Sequence, residues 1–126
     1  MSVRDDSAMM RSSDFVNLVI ERVPEAEPKV RENLADNDGE LLLHLLMSDL
    51  LRLAVSWFDH GMADPLERLL AAVDGGLAEG DDYVKGAVAV SFVDDTGWWE
   101  SSTQPFIEAW PAGLQAEVDR QRSHRM

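Results

Sequence analysis

From Leu41 to Met62 the chain reads LLLHLLMSDLLRLAVSWFDHGM, and Glu40, His44, Ser48, Arg52, Ser56 and His60 place a polar residue at every fourth position. On a helix of about 3.6 residues per turn these positions form one narrow stripe that drifts by roughly 40° a step, leaving most of the circumference apolar. The pattern predicts a long, mostly buried central helix over residues 40–61. A membrane span would have a similar length, but His44, Asp49, Arg52 and Asp59 interrupt the apolar run, and a charge at a bilayer centre costs roughly 2.5–3.5 kcal/mol.

Amphipathic pieces flank this rod. Phe15, Leu18, Val19 and Val23 recur at helical spacing behind Ser12 and Ser13, either of which can cap a helix that Pro24 stops. Val30 and Leu34 mark a short second helix over Glu25–Asp36, followed by the loop Ala35-Asp36-Asn37-Asp38-Gly39. Gly61 reads as a left-handed terminator. Asp64-Pro65-Leu66-Glu67 reads as a cap, a proline at the first helical position and an acid in the first turn. Leu66, Leu69, Leu70, Val73 and Leu77 then share one face, and Gly75-Gly76 inside that face predicts a kink or a close neighbour.

Gly80-Asp81-Asp82 reads as a stop and a new N-cap. Tyr83–Val93 fits a helix or a strand face, and with no second strand to pair with it is assigned to helix. Asp94–Thr103 is a polar turn interrupted by Trp98-Trp99; Phe106, Ile107 and Trp110 mark a helical turn opened by Pro105, and Pro111 starts a last helix carrying Leu114 and Val118. Residues 1–11 and 120–126 are expected to fray. The expectation is one all-α domain over 1–126, a bundle of about six helices around the helix at 40–61.

Net charge is −13, from 24 acidic against 11 basic residues: −3 over residues 1–37, −13 over 38–119 and +3 over 120–126. An acidic body of this kind repels nucleic acid and anionic lipid and steers basic proteins toward itself, although acidity also keeps a small protein soluble. The chain has no cysteine, which excludes disulfides, thiolate zinc sites and a cysteine nucleophile. The polar start MSVRDDSAMMRSS has no apolar core of a secretion signal, so cytoplasmic residence is expected.

Reactive constellations are sparse. Glu40 and His44 lie four apart and could offer two metal ligands, but no acid stands three residues before any histidine as carboxylate-bridged di-iron bundles require. If Gly39 is set as the sixth position of a calcium loop, Leu34 and Leu45 occupy the first and twelfth, where carboxylates are needed. Ser56 and Ser91 stand in AVSWF and AVSFV without a nucleophile elbow, and no glycine-rich phosphate loop precedes Lys85. No catalytic residue, metal or cofactor is assigned. The pairs Asp81-Asp82 and Asp94-Asp95 read as caps and turns. One surface stands out: Asp94, Asp95, Trp98, Trp99 and Glu100 combine indoles with acids, a composition suited to a cationic partner. The alternative is that both indoles close one end of the core, the usual fate of large aromatics.

Leu77-Ala78-Glu79-Gly80-Asp81-Asp82-Tyr83-Val84, then Ala89-Val90-Ser91-Phe92-Val93, then Phe106-Ile107-Glu108 to Trp110-Pro111 resemble an uncharacterised bacterial all-α domain family, over roughly residues 40–118. The resemblance implies a helical fold and carries no catalytic residue. Small acidic proteins of this sort are similar to candidate immunity proteins, which bind and silence a basic toxin domain. Three expectations follow: a non-enzymatic module that binds a basic protein partner; a small metal- or ligand-binding protein using Glu40 and His44; and a self-associating homo-oligomer.

Overall fold

Ser12–Arg22 forms α1, and its apolar stripe buries Phe15, Val16 and Val19. The structure, a computed structural model, describes residues 9–36 and 42–125, the side chain of Arg125 excepted. The expected caps Ser12 and Ser13 lie inside the first turn of α1. Arg11 holds the cap position, and its backbone N–H donates to the Asp14 carboxylate at 3.1 Å, one half of a capping box. Pro24 ends the helix as expected and opens a 3₁₀ turn, Pro24–Ala26, that leads into α2, Glu27–Asp36. The bidentate pair between Arg68 and Glu25, at 3.0 and 2.9 Å, ties this corner to a later helix.

The central helix, α3, is Leu43–Asp59 and buries Leu43, Leu46, Met47, Leu50, Leu51, Ala54 and Trp57. It is shorter than residues 40–61 and no longer than α4, Ala63–Glu79, each having 17 residues. Leu45 and Val55 are exposed beside the polar stripe, so α3 is covered on fewer sides than its apolar circumference predicts. Its C-terminus is a Schellman turn: the N–H of Met62 donates to Trp57 at 2.9 Å, that of Gly61 to Phe58 at 3.3 Å, and Gly61 takes φ +71°. Because this turn already delivers the chain into helical register, α4 begins at Ala63. Asp64 therefore sits in the first turn, favourable to the helix dipole, instead of capping it, and Pro65 lies where the N–H has no helical partner to lose.

α4 runs unbroken through Gly75-Gly76. Asp81 caps α5, Asp82–Val88, its carboxylate accepting the Val84 N–H at 2.9 Å. The segment expected as helix or strand is helical, but Ala89–Val93 widens into a π turn, and the N–H of Asp94 is shared between the carbonyls of Ala89 and Val90. Ser91, Phe92 and Val93 are buried in succession while Val90 is exposed, a spacing that belongs to neither a regular helix nor a strand. Two 3₁₀ turns, Asp94–Thr96 and Ser101–Thr103, lead to α6, Gln104–Glu108, and then α7, Ala112–Arg125.

Residues 120–125, expected to fray, continue α7. Gln121 anchors them by donating to Ala89 O and to Glu117 at 3.0 Å each, and Arg120 pairs with Glu117 through two contacts. At the other end Met10 forms a single β-bridge with Gly80: its N–H donates to Glu79 O at 2.9 Å, and its carbonyl accepts from Asp81 at 2.7 Å. The described residues thus form one all-α domain of seven α-helices without strands, whose core gathers Phe15, Val19, Leu46, Leu50, Leu69, Val88, Phe92 and Leu114.

Candidate functional site

The segment Asp94–Glu100 leaves the π turn as one 3₁₀ turn and bends back at Gly97, whose φ of +76° suits a residue without a Cβ. The corner is closed by hydrogen bonds: Glu100 N–H donates to Gly97 O at 3.0 Å, Thr103 Oγ1 reaches the carbonyls of Gly97 and Glu100 at 2.9 Å, and Gln104 Nε2 donates to Trp98 O at 2.8 Å. A loop held this way presents its side chains at fixed positions, which lowers the ordering entropy of binding.

The two indoles part company. Trp98 is 4% exposed, donates from Nε1 to Gln121 Oε1 at 2.8 Å and lies under the Arg122 guanidinium, 5.5 Å from the ring centre. Trp99 is 54% exposed and meets Trp98 edge to face at 5.3 Å. Neither reading of the pair holds for both rings: one closes the core and the other stands at the surface.

The acids divide as well. Asp95 accepts from Ser48 Oγ at 3.3 Å and so faces α3, whereas Asp94 lines a cleft of about 240 Å³ with Arg120, Gln121 and His124 of α7. The basic end of the chain therefore lies beside Asp94. Asp95, Trp99 and Glu100 are the exposed members of the five candidate residues, Trp99 and Glu100 adjacent in the chain and Asp95 on the α3 side of the loop. Gln121 is the residue that sequence reasoning missed here. Its amide serves Trp98, Glu117 and the Ala89 carbonyl at once, and its one sequence signal is continuation of the Leu114–Val118 spacing by another turn.

Glu117 is buried beneath this end of α7. The hydrogen-bonded Arg120 guanidinium holds its carboxyl below the ordinary value, burial opposes that shift, and the Gln121 amide adds to it.

Along the polar stripe of α3, His44 Nδ1 lies 2.8 Å from the buried Ser91 Oγ, and its ring meets Tyr83 edge to face at 5.7 Å. The cleft beside Asp94 and the one beside Phe106 are lined by other residues than this pair. Glu40, the second half of the expected Glu40/His44 ligand pair, and Asn37-Asp38-Gly39 of the calcium-like loop lie outside the described residues. Among the described residues no group of three metal-ligating side chains comes together, and no helix is long and apolar enough to cross a membrane.

A single all-α domain with a rigid acidic and aromatic corner is the class that fold and site define. The chain matches the domain of unknown function DUF7674 over residues 16–125, and it belongs to that family. No curated protein and no solved structure matches it.

Proposed function

We propose that this protein is a non-enzymatic module that binds a basic protein partner through the Asp95–Trp99–Glu100 corner, most concretely as a bacterial immunity-type inhibitor covering a cationic toxin surface in the cytoplasm. The observation that carries the reading is the placement of Trp99. A large indole stands more than half exposed on a loop fixed by Gly97 and by its buried neighbour Trp98, with the exposed Glu100 next to it in the chain and the exposed Asp95 on the same loop. Exposed tryptophans rimmed by charge are where interface energy concentrates, and a net charge of −13 accelerates encounter with a cationic surface. The absence of cysteine fits a reducing compartment.

The test is capture from lysate of the source cells by wild-type bait and by Trp99→Ala and Asp95→Lys/Glu100→Lys baits, at low and high salt. The reading predicts one stoichiometric basic protein that high salt releases and that both variants fail to retain. Equal retention by all three baits contradicts it.

A further inference from the structure

On the flank of the corner, where α3 ends against the turn Ser101–Thr103 and α6, a cleft of about 230 Å³ opens between Val55, Phe58, Asp59, Thr96, Thr103 and Phe106. Its apolar wall is aromatic, with the rings of Phe58 and Phe106 5.5 Å apart. Its polar groups offer acceptors. Thr96 Oγ1 donates its proton to Phe92 O at 2.6 Å, and Thr103 Oγ1 donates to the carbonyls of Gly97 and Glu100, so each hydroxyl presents only lone pairs to a further partner. Asp59 adds a carboxylate, and among the described residues no basic side chain pairs with it.

Asp59 also ends a helix whose last turn contains no basic residue. The C-terminus of a helix carries partial negative charge, so the carboxylate stands where the macrodipole opposes it. Aromatic wall, a rim whose threonine hydroxyls and carboxylate offer acceptors beside the Ser102 hydroxyl, and doubly negative helix end together describe a receptor for a cation on an apolar stem. A guanidinium suits it better than an ammonium: five N–H groups in a planar fork serve several separated acceptors at once, and the plane packs on aromatic surface.

We propose that this cleft receives an arginine side chain of the partner, its stem along Phe58 and Phe106 and its guanidinium on Asp59 with Thr96 and Thr103. The inference rests on the reading of a basic protein partner and names the anchor beside the Trp99 corner. Asp59 supplies the charge and the two threonines supply orientation.

The test is titration of the ¹⁵N-labelled protein with N-acetyl-arginine amide, its neutral isostere N-acetyl-citrulline amide, and N-acetyl-lysine amide. The expected result is saturable shifts confined to the amides of Val55–Asp59, Thr96 and Ser102–Phe106. Arginine should bind at least tenfold more tightly than citrulline and more tightly than lysine. Asp59→Asn, an exposed substitution at a helix end whose fold the same spectra verify, should weaken arginine at least fivefold. Shifts scattered over the acidic surface without saturation, equal binding of arginine and citrulline, lysine matching arginine, or an unaffected Asp59→Asn variant each overturn the proposal. Because the titration uses no protein partner, it can fail while Trp99-dependent capture persists, and the broader reading then stands without this anchor.

Discussion

A Cβ added to Gly76 would stand 2.7 Å from Cε1 of Phe15, whereas one added to Gly75 would meet nothing within 4 Å. The two adjacent glycines of α4 therefore have different reasons to exist. The ring of Phe15, fully buried, uses the missing side chain of Gly76 to bring α1 against α4. Gly75→Ala should stabilise the protein by up to about 1 kcal/mol through helix propensity. Gly76→Ala should destabilise it by about 1–3 kcal/mol despite the same propensity gain, because the overpacked ring must move. Urea denaturation of the two variants checks both signs.

The acidic side of the stability profile should belong in part to Glu117. Its carboxyl titrates below the ordinary value of 4.5 in the folded protein, so the stability it contributes is complete above that value and disappears as pH falls through the lowered one. The difference in unfolding free energy between wild type and Glu117→Gln should be largest near neutrality and shrink below about pH 4.5. Glu25, held at about 2 by the Arg68 guanidinium, follows the same sign over the window from 4.5 down to about 2. That pair is solvated on both sides, so salt should erode its share more than that of Glu117.

Much of the fold was legible because its signals are local. Pro24, Gly61 and the Gly80-Asp81-Asp82 stop each act within a turn of chain, and the helices they bound fall within a few residues of expectation. The errors come from partners distant in sequence. Ser12 and Ser13 lost the cap to Arg11 because Asp14 serves the backbone from inside the helix. Asp64 lost its capping role to the Schellman turn before it. The tail from Arg120 onward looked unsupported because its anchor, Gln121, answers a need created 23 residues earlier, the buried Nε1–H of Trp98. The same separation explains the candidate site: five residues were read as one patch, yet the π turn and the Gly97 bend send Asp94 toward α7, Trp98 inward and Asp95 toward α3.

Asp81 caps α5 with its own carboxylate, and α5 is only seven residues long before the π turn begins. Asp81→Ala should cost about 1 kcal/mol, with Asp81→Asn recovering most of it. Hydrogen exchange of Val84 and Lys85 amides locates the loss at that helix end.

The two tryptophans should separate folding from binding. Trp98→Ala removes a buried ring together with its bond to Gln121 and should cost about 3–5 kcal/mol. Trp99→Ala should cost about 1 kcal/mol or less, chiefly the edge-to-face contact with Trp98, while abolishing retention of the partner. Chemical denaturation beside the capture assay reads the two effects independently.

The most direct measurement places a benzophenone amino acid at position 99 of the full chain and irradiates it in the source cells. The account predicts one discrete adduct with a basic protein, lost when Asp95→Lys/Glu100→Lys is added and absent when the probe stands at the exposed Arg31 of α2 instead. No discrete adduct from position 99, or the same adducts from both positions, would contradict the claim that the Trp99 corner is the binding surface.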